Sequence, residues 1–128
     1  MIKESTIIEN GMSNLLRETI KELQDRGKSP KDVLWCGSKE FGYFGWRDFE
    51  EVANVIYCND FGGEEVATDL LIVGKDFWLE RHEYDGMEWW EYKILPAKPE
   101  NYKKPRCLVP EEDHCGLTLK EIDTKDYD

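Results

Sequence analysis

Apolar and polar residues alternate through residues 69–95 and predict a three-stranded antiparallel meander. Asp85-Gly86 separates two of these runs. This dipeptide favours a two-residue type I′ turn, because that turn needs positive φ at both of its central positions. A second two-residue turn is predicted at Gly74-Lys75, with the glycine first. The pattern therefore places most of the chain's alternating residues in one small sheet.

The turn at Asp85-Gly86 also predicts which side chains share a face, because side chains alternate along a strand. The face expected to join the core carries Leu70, Ile72, Phe77, Leu79, Tyr92 and Ile94. The opposite face carries Leu71, Val73, Trp78, Tyr84, Met87 and Trp89, with Glu80, His82, Glu91 and Lys93 among them. At the rim of the core face, Arg81 is predicted to stack on Trp90 as a cation–π pair, worth about 0.5–1 kcal/mol if exposed.

The opposite face admits two interpretations. It is either a second apolar layer covered by a helix or by the tail, or an exposed aromatic patch rimmed by acids that marks a partner site. Glu80 is predicted to lie directly across from Glu91, and such a like-charge pair destabilises a sheet unless a neighbour compensates. His82 and Lys93 are the nearest candidates for that compensation.

Helical spacing appears twice before the meander. Leu15, Leu16, Ile20 and Leu23 predict an amphipathic helix over about 13–26, with Ser13 as N-cap and Gly27 as the C′ residue. A second helix is predicted over about 46–56. A short strand over residues 32–37 and a turn or hairpin over 38–45 precede it. We therefore predict an α+β fold, in which an antiparallel sheet of four or five strands is covered by the 13–26 helix, with the 46–56 helix beside it.

The length of 128 residues suits one domain. We expect a flexible lead-in over about 1–10 and a flexible tail over about 123–128. No apolar run approaches the roughly 20 residues of a membrane span, and no signal-peptide pattern opens the chain. These features predict a cytoplasmic protein that does not associate with membranes.

The net charge of −11 argues against direct nucleic-acid binding, which requires a basic surface. Acidic residues concentrate between positions 48 and 69, where no lysine or arginine occurs. This run is either a solvated surface or a surface that imitates the charge of a nucleic acid toward a basic partner. Its candidate partner-binding residues are Asp48, Glu50, Glu51, Glu64 and Glu65.

Metal and cofactor motifs are weak. The four cysteines contain no Cys-x-x-Cys pair, and Cys107, His114 and Cys115 would need a fourth zinc ligand from elsewhere. Gly62-Gly63 is followed by two glutamates and not by the lysine of a phosphate loop. We therefore predict no cofactor and no metal site, and the tail cluster remains an open alternative.

Catalysis is the weaker functional hypothesis. Glu80, His82 and Glu91 share one sheet face, and two opposed carboxylates could raise the pKa of one of them for acid–base work. The sequence offers no cofactor loop and no nucleophile with a base at a recognisable spacing. We therefore expect a binding protein rather than an enzyme.

The segment VATDLLIVGKDFWLERHEYDGMEWWEYK, with the preceding WRDFEEVA, resembles a group of small uncharacterised proteins from phages and prophages of Gram-positive bacteria. The resemblance spans roughly residues 32–98 and rests on the order WLER, EYDG, EWWEY. It implies a mobile-element origin, an intracellular setting in a bacterial host, and inhibition or modulation of a host protein.

Together these observations predict a non-enzymatic phage accessory protein that binds a host protein. The finer hypothesis is an acidic inhibitor of a nucleic-acid-binding or defence system. The candidate aromatic contacts are Trp78, Tyr84, Met87 and Trp89. The alternative is a self-associating structural phage component that pairs through a meander edge. The partner and the oligomeric state are left open.

Overall fold

The computed structural model describes residues 12–60, 62–110 and 115–124. The chain divides into two compact units, one ending at Leu95 and the other beginning at Pro96. The predicted lead-in over 1–10 and the last four residues of the predicted tail lie outside the described residues. The expectation of a single domain stays a prediction.

The first unit holds all the described strands and two of the three described helices. Its elements are β1 (Met12–Asn14), α1 (Leu15–Asp25), a 3-10 turn (Pro30–Asp32), β2 (Val33–Ser38), β3 (Gly42–Phe44), α2 (Trp46–Ala53), β4 (Ile56–Cys58), β5 (Leu71–Gly74), β6 (Phe77–Tyr84) and β7 (Met87–Ile94). The second unit holds α3 (Leu119–Thr124). Five antiparallel strands form one sheet in the order β3-β2-β5-β6-β7, and β1 pairs with β4 in a separate two-stranded sheet. The predicted α+β class with an antiparallel sheet is confirmed.

The β6–β7 hairpin has the predicted register, from Tyr84 opposite Met87 to Phe77 opposite Ile94. Asp85 and Gly86 form its turn with φ values of 52° and 87°. Two-residue turns of this kind need positive φ at both positions.

The predicted turn at Gly74-Lys75 is wrong by one residue. Val73 pairs with Trp78, so the connection consists of Lys75 and Asp76. Gly74 is the last residue of β5, and a Cβ at this position would collide with the ring of Phe77. A glycine is therefore needed here because the Phe77 ring packs closely against the backbone, and not because of a turn conformation. The error shifts the pairing by two residues, so the predicted faces are unchanged.

Helix α1 begins after Asn14 and not at the predicted Ser13 cap. The Oδ1 atom of Asn14 accepts a hydrogen bond from the Arg17 amide at 3.0 Å. Ser13 lies instead in β1, opposite Tyr57 in β4. Gly27 follows the C-cap with φ of 74°, which confirms its predicted role.

Helix α2 ends at Ala53, three residues before the predicted end at 56. The chain leaves the helix because Ile56 enters β4 and pairs with Asn14. This two-stranded sheet was not predicted from the sequence. Strands of three residues are too short to show a period.

Both helices pack on the predicted core face of the five-stranded sheet. Among the fully buried side chains are Leu23 and Phe49 from the helices and Ile72 and Leu79 from the sheet. Ile94 was predicted to join this core, and that prediction is wrong, because the side chain is 61% exposed. It ends the edge strand β7 and so has a neighbouring strand on one side only.

Candidate partner-binding face

The candidate site is the sheet face opposite α1 and α2, here called the tryptophan face. Strand pairing assigns to it Trp35, Tyr43, Leu71, Val73, Trp78, Glu80, His82, Tyr84, Met87, Trp89, Glu91 and Lys93. Each of these side chains is partly or fully exposed. The four predicted aromatic and Met contacts therefore share one accessible surface.

Strands β6 and β7 carry the same pattern on this face. Residues 78–82 read Trp-Leu-Glu-Arg-His, and residues 89–93 read Trp-Trp-Glu-Tyr-Lys. Each segment thus presents an indole, a carboxylate and a basic side chain at alternate positions. Antiparallel pairing places Glu80 opposite Glu91, Trp78 opposite Lys93 and His82 opposite Trp89. The result is a local pseudo-two-fold patch centred on the two carboxylates.

Each indole is held by the carboxylate of its own strand. Trp78 donates from Nε1 to Glu80 Oε1 at 2.7 Å, and Trp89 donates from Nε1 to Glu91 Oε2 at 2.9 Å. Both bonds point toward the centre of the patch, since each glutamate lies there. They fix two large aromatic surfaces on a rigid sheet, so little side-chain entropy is lost when a partner binds.

These hydrogen bonds also compensate the repulsion between Glu80 and Glu91, which lie opposite each other. The indole N–H of Trp78, followed by His82 Nε2 at 2.7 Å, holds the pKa of Glu80 below its ordinary value. The indole of Trp89 does the same for the pKa of Glu91. Neither carboxyl has the raised pKa that acid–base work by this pair would use, because indole donors stabilise the charged forms.

Trp35 and Tyr43 extend the face beyond the residues predicted from the sequence. Trp35 pairs with Val73, and the β2–β3 hairpin brings Tyr43 opposite Gly37. Beside them lies an open groove of about 550 Å³ that is lined by Leu34, Trp35, Ser38, Gly42 and Tyr43. Alternation within β2 signalled the strand, but only the order of strands in the sheet shows that Trp35 and Trp78 share a face.

Three of the five predicted acidic residues lie on α2, on the helix side of the sheet. Glu50 and Glu51 are exposed on α2, which packs on the core face. Asp48 accepts a hydrogen bond from the Gly45 amide at 3.4 Å at the start of that helix.

The loop before β5 carries the other two acids. Glu64 is exposed, and Glu65 accepts from the Cys58 amide at 3.1 Å while its own amide donates to Glu88 at 2.7 Å. The structure thus separates the acidic run from the tryptophan face.

The core side of the β6–β7 hairpin holds a buried polar cluster that sequence reasoning missed. Arg81 lies 4.7 Å from the ring centre of Trp90 and donates from Nη2 to Glu88 at 2.8 Å. It also approaches Glu18 at 3.4 Å and donates to the Tyr57 hydroxyl at 3.0 Å. The predicted stacking of Arg81 on Trp90 is present, but its predicted position at the rim is wrong, because both residues are buried.

The same cluster joins α1 to the sheet. Burial raises the pKa of Glu18, whose carboxylate accepts a hydrogen bond from Tyr57. Trp90 Nε1 donates to Thr19 Oγ1 at 2.9 Å, and Thr19 Oγ1 donates to the Leu15 carbonyl at 2.7 Å. These bonds satisfy polar groups that would otherwise be buried without partners.

No group of three or more His, Cys, Asp or Glu side chains within the described ranges is placed to hold a metal ion. His114, part of the tail alternative, lies outside those ranges. None of the four cysteines, which all fall among the described residues, forms a disulfide. Burial, with the nearby charge of Asp48, raises the pKa of the Cys36 thiol to about 12, so this thiol stays protonated.

The helices in the described part of the chain are too short or too polar to cross a membrane. Comparisons with protein-family models, with curated proteins and with solved structures each gave no match. The resemblance to phage and prophage proteins therefore stays a prediction.

Proposed function

We propose that the protein is a non-enzymatic binding protein whose tryptophan face docks on another protein. The observation that supports this most is the grouping of Trp35, Trp78 and Trp89 on one sheet face from which α1 and α2 are absent. Trp, Tyr and Met are enriched at the cores of protein interfaces, and Trp and Tyr are frequent hot spots. Exposed Tyr84 and Met87 extend the same surface at the hairpin end.

The biological setting in this proposal follows from the sequence resemblance. The protein acts in the cytoplasm of a bacterial host as a phage or prophage accessory protein, and its partner is a host protein. The finer version is an acidic inhibitor of a nucleic-acid-binding or defence system. The net charge of −11 supports a partner with a basic surface.

Capture from a bacterial lysate, followed by titration of the purified partner, tests the docking proposal. Trp78→Ala/Trp89→Ala should abolish capture and weaken the measured affinity at least about a hundredfold, because central aromatic contacts are worth roughly 2 kcal/mol or more each. Circular dichroism would establish that the variant is folded. Retained affinity in the folded variant would overturn docking through this face.

A matched variant on the other side of the sheet separates the two candidate surfaces. Glu50→Gln/Glu51→Gln should leave the affinity within about twofold if the tryptophan face carries docking, because exposed rim charges contribute little. In the inhibitor version, binding also weakens steeply between about 0.05 M and about 0.5 M salt. An affinity that is flat over this range would contradict that version while leaving docking intact.

Catalysis and self-association are the two alternative functions. The lowered pKa values of Glu80 and Glu91 do not suit a general acid at neutral pH, so no observation favours catalysis here. Self-association through the edge strand β7 stays a prediction. Sedimentation at increasing protein concentration tests it, and a constant monomer mass would reject it.

A further inference from the structure

The two faces of the sheet differ in where their aromatic rings find cations. On the helix side, Arg26 lies 5.2 Å from the ring centre of Tyr92, and Lys28 lies 5.2 Å from that of Phe77. Arg81 lies 4.7 Å from Trp90 and 5.6 Å from Tyr57. None of these four cation–π contacts involves a ring of the tryptophan face.

The most complete of these contacts combines three groups. Arg81 stacks on the Trp90 indole, and the Glu88 carboxylate binds its guanidinium at 2.8 Å. An aromatic surface attracts the cation through its quadrupole, and the carboxylate accepts the in-plane N–H groups that stacking leaves available. An indole with an adjacent carboxylate therefore forms part of the receptor for a guanidinium in this fold, and Glu18 and Tyr57 complete it.

The tryptophan face holds two further pairs of an indole and a carboxylate, and neither indole takes part in these four cation–π contacts. Trp78 with Glu80 forms one pair, and Trp89 with Glu91 forms the other. His82 and Lys93 approach the carboxylates, at 2.7 Å and 3.9 Å, rather than the ring faces. Donation of each indole N–H to an anion increases the electron density of the ring, which strengthens its attraction for a cation.

We propose that Trp78–Glu80 and Trp89–Glu91 are two half-sites for arginine side chains of the partner protein. Each guanidinium stacks on the indole and donates to the neighbouring carboxylate. Arginine fits better than lysine because its planar group stacks and binds a carboxylate in a bidentate manner. This inference rests on the proposed docking function and names the chemistry that docking recognises.

The distance between the half-sites predicts the conformation of the bound segment and the spacing of its arginines. Trp78 and Trp89 lie on adjacent strands and are offset by four residues, since Trp78 is opposite Lys93. At roughly 3.4 Å per residue and 4.8 Å between strands, their Cα atoms are about 14 Å apart. Side chains at positions i and i+4 of an extended segment span about the same distance. The occupant is thus an extended basic segment with arginines four residues apart.

A synthetic threonine-rich peptide with arginines at i and i+4 is the probe, and the indole Nε1–H resonances of the labelled protein are the readout. Titration should shift the Trp78 and Trp89 signals and leave the signal of buried Trp90 in place. Replacing both arginines by citrulline, which is planar but neutral, should weaken binding at least about tenfold. Lysine in their place should weaken it about threefold.

Matched variants locate the recognition. Glu80→Gln/Glu91→Gln keeps an oxygen acceptor for each indole but removes the charge, and should weaken peptide binding about tenfold. Glu50→Gln/Glu51→Gln makes the same change in net charge on α2 and should leave binding within about twofold. Equal weakening by both variants would show attraction by net charge alone and would overturn the inference.

Two further outcomes would also overturn it. They are equal binding of the arginine and citrulline peptides, and no shift of either indole signal up to about 1 mM peptide. A different result would overturn the docking proposal. In that result, the folded variant Trp78→Ala/Trp89→Ala still binds the captured partner.

Discussion

On the helix side of the β6–β7 hairpin, Arg81, Glu88 and Trp90 are buried together, and each charge has a partner within the chain. On the other side, Glu80 and Glu91 have side chains that are 33% and 38% exposed. The same two strands thus carry two sets of indoles and carboxylates, one inside the protein and one at its surface.

The difference teaches what burial does to a polar group. A buried ion pair stabilises little in total, but removing one member leaves an uncompensated charge and destabilises strongly. An exposed indole–carboxylate pair contributes little to folding because water competes for both groups. We therefore expect substitutions on the helix side to reduce stability and those on the tryptophan face to reduce binding.

The largest expected effect comes from Arg81→Met. The Glu88 side chain is 1% exposed and would lose its cation, so we expect a loss of about 3–5 kcal/mol in the free energy of unfolding. Urea denaturation followed by circular dichroism measures it. Glu88 also accepts from the Glu65 and Val66 amides, so the loop before β5 should become susceptible to proteolysis.

An exposed ion pair supplies the control for this substitution. Lys21 binds Asp25 at 3.1 Å one helical turn away in α1, and both side chains are more than half exposed. Lys21→Met should change the free energy of unfolding by less than about 0.5 kcal/mol. Similar losses for Lys21→Met and Arg81→Met would contradict the distinction between the two environments.

A pair of tryptophan substitutions compares the faces more directly. Trp90→Phe removes the bond to Thr19 and part of a buried ring, and should cost about 2–3 kcal/mol of stability. Trp78→Phe removes the bond to Glu80 at a partly exposed position and should cost less than about 1 kcal/mol. Thermal unfolding of both variants checks the order, and a larger loss for Trp78→Phe would reverse our assignment of core and surface.

The parts of the fold that could be predicted are those whose signals are local. Asp85-Gly86 fixed the register of β6 and β7, because a two-residue turn allows one pairing. Helix α1 followed from four apolar residues at helical spacing. Gly74 misled the prediction because a glycine can mark either a turn or a close approach, and the ring of Phe77 decides which.

The candidate site was predictable in part for the same reason. Trp78 and Trp89 were placed on one face by alternation and by the hairpin register. Trp35 could not be added, because a strand's neighbours in a sheet depend on tertiary packing. The partners of Arg81 were equally hidden, since Glu18 and Tyr57 lie 63 and 24 residues away from it in sequence.

The pH dependence of stability should have opposite signs on the two faces. Glu18, on the helix side, has a pKa raised above its ordinary value of 4.5 by burial. The folded state therefore holds a proton that the unfolded state has released, and Glu18 makes stability fall as the pH rises above 4.5. Glu18→Gln should remove this loss, so the variant's stability should fall less than the parent's between about pH 4.5 and 7.

The smallest expected effect is that of Glu80, whose pKa is lowered by the Trp78 indole and by His82. Its folded state releases a proton that the unfolded state retains, so its stabilisation is present above 4.5 and is lost as the pH falls below that value. Glu80→Gln should therefore lower stability slightly at neutral pH and converge with the parent under acid conditions. Urea titrations at several pH values measure both variants. If Glu80→Gln diverged from the parent as the pH fell, the hydrogen bonds from Trp78 and His82 would not stabilise the charged form of Glu80.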